Sequence, residues 1–130
     1  MSKAKRPPNR RPKAEPVTWD TVRRLALALP GVEAGTSYGA PAFKVKGKLL
    51  ARLHPDGESL VLSVEYTARE VLMGAKPTVF YITEHYRCWP WVLVRIAKVD
   101  LDDLRQLLEE AWRRSAPRSL VTAWEGRSDR

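Results

Sequence analysis

Between Leu29 and Leu53 the chain stops one helix and then folds back on itself, and this stretch limits the possible folds more than any other. Pro30-Gly31 ends an apolar helical stripe, and two short runs follow, hinged at Lys46-Gly47-Lys48. Phe43 and Val45 alternate with Ala42 and Lys44, while Leu49, Ala51 and Leu53 alternate with Leu50 and Arg52. This is the period-2 pattern of half-buried strands. Turn length then decides which side chains share a face. A two-residue turn at Lys46-Gly47 pairs Val45 with Lys48 and sets a lysine among core residues, whereas a three-residue turn at Lys46-Gly47-Lys48 pairs Val45 with Leu49. The three-residue register is the expected one. It points Phe43, Val45, Leu49, Ala51 and Leu53 inward, leaves Lys46 and Lys48 at an exposed tip, and turns Lys44 and Arg52 outward behind them.

The flanking segments fit a meander with helices. Thr18 is placed to cap a first helix with Asp20 in its first turn and Val22, Leu25, Ala26 and Leu29 as its core stripe, leaving Arg23 and Arg24 solvated. Pro55-Asp56-Gly57 leads to a third strand, Leu60 to Val64, and pairing Leu53 with Leu60 keeps the inward set together. Thr67-Ala68-Arg69-Glu70 reads as a capping box for a short helix through Met73 that stops at Gly74. A strand around Val79 to Ile82, a polar and aromatic loop from Thr83 to Pro90 and a strand from Trp91 to Ile96 follow. Asp100 caps the last long helix, in which Leu101, Leu104, Leu107, Leu108 and Ala111 face the core. Its acids, Asp102 and Asp103, lie in the first turn and its bases, Arg113 and Arg114, in the last. Pro117 breaks it, and Leu120, Val121, Ala123 and Trp124 form a short final helix before Gly126.

This order predicts an α+β domain, an antiparallel sheet of about five strands with helices packed on one face. The other face is then partly open and carries Lys44, Arg52 and Arg95 among Leu50, Val61 and either Trp91 or Leu93. Cations interleaved with apolar and aromatic groups suit a nucleic-acid backbone or unpaired bases, and suit a protein partner equally. Snorkelling side chains on an ordinary wet sheet give the same pattern.

Charge sharpens the first of these. In residues 1–16, Lys3, Lys5, Arg6, Arg10, Arg11 and Lys13 stand against Glu15, a net +5 of the chain's total of +8. With Pro7, Pro8, Pro12 and Pro16 and almost nothing apolar, that segment is expected to be disordered when free. It is either a phosphate-binding arm or a solubilising extension. The remaining length suits one domain, taken as residues 17–126, with 127–130 as a short tail. No apolar run approaches the length of a membrane span, the basic, proline-rich first residues lead to the expectation of no secretory signal, and the one cysteine, Cys88, fits a reducing compartment. A cytoplasmic protein with no membrane partner is expected.

A family is visible in several stretches. Leu29-Pro30-Gly31-Val32, Ser37-Tyr38-Gly39-Ala40-Pro41-Ala42-Phe43-Lys44-Val45 and Gly47-Lys48 resemble the MmcQ/YjbR group of small bacterial proteins. So do Trp91-Val92-Leu93-Val94 leading to Val99-Asp100-Leu101-Asp102-Asp103-Leu104, and Ala111-Trp112 followed by Ala116-Pro117-Arg118. The resemblance runs over roughly the whole chain after residue 16. It implies a frataxin-like fold and DNA binding, and it brings no catalytic residues.

The residues themselves point to no defined reaction. No phosphate loop, dinucleotide fingerprint, nucleophile elbow or His-Glu-x-x-His helix occurs. His85 and Cys88 have the spacing of two metal ligands, short of the three or four a zinc site needs, and His54 and Asp56 fall on a turn that needs polar residues anyway. Tyr81, Tyr86, Trp89 and Trp91 either build an aromatic pocket or pack in the sheet. Iron delivery, the work of frataxin-like proteins, requires an acidic first helix, and here Arg23-Arg24 stand with only Asp20. The expectation is therefore a binding module without cofactor or metal. Its nucleic-acid contacts are Lys44, Lys46, Lys48, Arg52 and the cations of residues 1–16. The alternative is a protein or small-ligand face at Tyr86, Trp89 and Trp91.

Overall fold

The computed structural model describes residues 16–128. Helix α1 (Trp19–Leu27) opens the domain, and strands β1 (Val32–Ser37), β2 (Ala40–Val45), β3 (Lys48–Leu53) and β4 (Ser59–Ser63) follow. Helix α2 (Tyr66–Ala75), strand β5 (Phe80–Tyr81), a 3-10 turn (Glu84–Tyr86), β6 (Trp91–Arg95), α3 (Leu101–Ser115) and α4 (Arg118–Ser128) complete it. The six strands form one antiparallel sheet in the order β1-β2-β3-β4-β6-β5. The α+β architecture is the expected one, with one strand more. Val32-Glu-Ala-Gly-Thr-Ser37 shows no apolar alternation because β1 is an edge strand, mostly exposed on both faces.

Local chemistry explains the helices. The Thr18 hydroxyl accepts from the Thr21 amide at 3.3 Å while the Thr21 hydroxyl accepts from the Thr18 amide at 3.1 Å, a reciprocal cap. Asp100 accepts from the amides of Asp102 and Asp103 at the head of α3. The expected capping box at Thr67 is not formed. Glu65 takes the N-cap position of α2 without a side-chain bond, and Gly74 lies inside the helix, which runs on to Ala75. Likewise α4 continues beyond Gly126.

One face of the sheet holds the main core. Phe43, Val45, Leu50, Leu60, Leu62, Val92 and Val94 meet Val22 and Ala26 of α1 and Leu104, Leu108, Ala111 and Trp112 of α3, all buried. Trp112 is fully enclosed, and its indole donates to the Pro30 carbonyl at 2.7 Å, tying α3 to the link between α1 and β1. That link turns at Gly31, whose φ of 77° only glycine adopts without strain. Among the described residues no helix is long and apolar enough to cross a membrane.

The β2–β3 hairpin departs from the expected register. Its turn has two residues, Lys46-Gly47, with φ of 51° and 82°, so Val45 pairs with Lys48. The core survives this because β3 carries a bulge. Phe43 pairs with Ala51 and Lys44 with Leu49, leaving Leu50 as the extra residue. Leu50 is therefore buried in the core while Leu49 turns outward, the reverse of the expected assignment. Farther along, Leu53 pairs with Leu60 as the apolar pattern requires.

Candidate nucleic-acid interface

The opposite sheet face is only half open. One row of side chains crosses all six strands in register: Gly35, Ala42, Arg52, Val61, Leu93 and Tyr81. Over its β4–β6 half the segment from Ile82 to Pro90 folds back as a strap. Tyr86, on the 3-10 turn, is 6% exposed and lies against Val61 and Leu93, burying both. Tyr86 is thus a covering residue and not part of a free aromatic face. Trp91 is half-buried beside this cluster, and Trp89, 57% exposed, is the one of the expected partner-face residues left in solvent.

A buried arginine holds the strap down. Arg69 of α2, 4% exposed, donates through Nη1 to the carbonyls of Tyr86, Trp89 and Trp91 at 2.7–3.1 Å, and through Nη2 to that of Arg87 at 3.0 Å. Its guanidinium also sits 5.1 Å from the centre of the Tyr66 ring, whose hydroxyl donates to the Cys88 carbonyl. Irregular backbone with few internal partners needs such donors when it is buried. In the sequence Arg69 looked like part of a cap, because nothing local marks a long-range staple.

The uncovered β1–β3 half carries the cations. Lys44 and Arg52 face outward here, as expected, while Lys46 and Lys48 are exposed at the turn. Lys48 shares the side of Val45, so the tip spreads positive charge to both faces of the hairpin. Among the described residues no carboxylate lies within 4 Å of Lys44, Lys46 or Lys48, although Glu33 stands opposite Lys44 across the β1–β2 ladder. Elsewhere some cations are matched, Arg24 with Asp20, Lys76 with Asp103, Arg87 with Glu84, Arg105 with Asp102 and Arg113 with Glu125, while among the described residues Arg23, Arg52, Arg95, Lys98, Arg114 and Arg118 have no carboxylate within 4 Å.

Arg52 is anchored. It donates to the Tyr86 hydroxyl at 2.6 Å, and its guanidinium lies 5.6 Å from the centre of the Tyr38 ring at the β1–β2 turn. Arg95 is held differently, over Tyr81 at 4.0 Å, and Tyr81 in turn shares a hydrogen bond with the buried Ser59 hydroxyl. The histidines stay at the margins. His85 meets Tyr86 edge-on, and His54 Nδ1 sits 3.3 Å from both the amide and the carboxylate of Asp56. Partial burial pushes the Asp56 carboxyl up, but the Glu58 and Ser59 amides and His54 outweigh it and hold it below its ordinary range. Among the described residues no three His, Cys, Asp or Glu gather to hold a metal.

The expected contacts Lys3, Lys5, Arg6, Arg10, Arg11 and Lys13 lie outside the described residues, as does the expectation of disorder for that segment. Tyr38 was passed over in the sequence except as part of a motif. The signal was available: an aromatic residue directly before a glycine in a turn.

Comparison with known proteins agrees with this architecture. An uncharacterised protein of Mycobacterium tuberculosis H37Rv, Rv2570, and one of Mycobacterium bovis, Mb2600, are each 34% identical over 126 residues, covering 82% of this chain and 95% of theirs. The crystal structure of Deinococcus radiodurans protein DR2400, with the domain DUF419, superposes with a TM-score of 0.63 at 25% identity. That match covers 74% of this chain and 76% of the other. The model of the YjbR family matches residues 27–114, from the end of α1 to the end of α3, and the chain belongs to that family.

Proposed function

We propose that this domain is a non-catalytic module that binds nucleic acid weakly and with little sequence preference, using the β2–β3 hairpin as a wing and residues 1–16 as an arm. The carrying observation is the gathering of Lys44, Lys46 and Lys48 on one hairpin, none of them with a carboxylate within 4 Å among the described residues. Unmatched charge gathered on one hairpin costs self-repulsion and is relieved by a polyanion, whose phosphates release counterions as they are neutralised. Arg52 is fixed close behind them. Asp56 is engaged in closing a turn, accepting from the Glu58 and Ser59 amides, which supports binding over chemistry.

Engaging about four phosphates through Lys44, Lys46, Lys48 and Arg52 contributes roughly −4 to the slope of log K against log salt, at about −0.9 per phosphate on duplex, and residues 1–16 add their own contribution. Fluorescence anisotropy with labelled DNA at several salt concentrations reads this slope. Replacing the three lysines with Gln reduces its magnitude by about 3. Absence of binding at low salt, or binding untouched by the three substitutions, removes the proposal.

The protein- or small-ligand-binding alternative also has an observation in its favour, at a different place from the sheet face around Trp91. An apolar groove of about 400 Å³ runs between α2 and α3, lined by Ala68, Val71, Leu72, Phe80 and Leu107, with the Lys76–Asp103 pair among its lining residues. Val71 there is 65% exposed. This reading predicts capture of a partner that survives high salt and is lost on Val71→Asp.

A further inference from the structure

We infer that the nucleic acid taken by this domain is unpaired, with one base stacked on the free face of Tyr38 and its neighbouring phosphates led along β2 past Arg52 to Lys44 and Lys46. The inference rests on the nucleic-acid reading above and names its substrate class. Tyr38 is 94% exposed, the most solvent-facing large apolar residue described, and it holds a φ of 53° at the first position of the Tyr38-Gly39 turn. Asn or Gly fits that backbone without cost, and a bulky ring there is an outlier. One side of the ring looks onto the Arg52 guanidinium, itself secured by the Tyr86 hydroxyl. The other side is open.

A tyrosine ring is rigid with few side-chain torsions, so it loses little freedom when a planar group lands on it. Duplex bases keep their faces inside the helix, so only an unpaired base can use it, and such a stack raises affinity about tenfold or more. From Tyr38 to Lys44 is about 20 Å along the strand, and the outward positions between them carry the small side chains of Ala40 and the buried Ala42, beside Ser37 and Gly35 on β1, with Glu33 opposite Lys44 at the far end. A Cβ added at Gly35 would meet nothing within 4 Å.

The test compares a labelled oligothymidine, the same strand with abasic sugars and a duplex of equal length, at one low salt concentration. Tyr38→Asn suits the turn and keeps the fold. It is expected to lose about tenfold in affinity for oligothymidine while duplex affinity stays unchanged, and Tyr38→Trp is expected to restore the loss. The wild-type chain is expected to bind the abasic strand as weakly as Tyr38→Asn binds oligothymidine. Equal affinity of wild type and Tyr38→Asn for oligothymidine, or of wild type for the two single strands, overturns the inference. If the lysine-to-Gln variant still loses binding in that case, the broader nucleic-acid reading stands without it. If wild type binds none of the three probes, the broader reading fails first.

Discussion

At the level of single residues, two positions hold a backbone conformation that costs them comfort. Tyr38 and Lys46 are the non-glycine residues with positive φ among those described, and each begins a two-residue hairpin turn that Asn would enter more easily. Lys46→Asn is expected to raise stability by about 0.5–1 kcal/mol in urea unfolding, while lowering affinity for DNA. A gain in both would show that the lysine is a passive turn residue. Arg69 makes the opposite bargain, since its charge is hidden to satisfy four carbonyls. Arg69→Met should cost about 2–4 kcal/mol and should speed amide exchange from Ile82 to Trp91 ahead of the rest of the sheet. The sequence did display most of the core at this scale, because Phe43, Val45, Ala51, Leu60 and Leu62 keep strict alternation. It hid Leu50, because a bulge breaks the period-2 rule at one point without leaving a mark in residue type.

Elements were legible where their ends carry chemistry. The Thr18 and Asp100 caps and the charges at the ends of α3 are all local, and the structure keeps them, while α1 ends at Leu27, ahead of the expected stop after Leu29. The edge strand β1 and the strap were not legible, since an exposed edge has no apolar pattern and the strap is held by contacts far away in sequence. The same distinction governs stability. Trp112 joins α3 to the α1–β1 link through its bond to the Pro30 carbonyl, so Trp112→Phe leaves that carbonyl unpaired beside a small void. A loss of about 2–3 kcal/mol is expected by chemical denaturation. The turn between β3 and β4 depends on pH instead. The Asp56 carboxyl is held below its ordinary range by amides it accepts from, so its folded form favours the charged state. Its contribution is complete above the ordinary aspartate value of about 4 and is lost as pH falls from there through the lowered one. Asp56→Asn keeps the turn acceptor without the titration, and its stability should therefore fall less steeply below pH of about 4. The effect is modest because the Asp56 side chain is 38% exposed.

Over the whole molecule, charge is divided unevenly. Residues 1–16 hold +5 of the total of +8, and the rest of the chain, with a net +3, places three unmatched lysines, Lys44, Lys46 and Lys48, on one hairpin. Composition alone revealed the first part, whereas the second required the sheet register and the pairing of the other cations. If both parts meet one polyanion, their contributions to counterion release add. Deleting residues 1–15 should reduce the magnitude of the salt slope by up to about 5, the three Lys→Gln changes by about 3, and the combination by nearly the sum. Anisotropy titrations of the four proteins over a range of salt measure each slope directly. A combination no worse than the deletion alone would mean that the hairpin stays clear of the nucleic acid and that binding is the work of the arm.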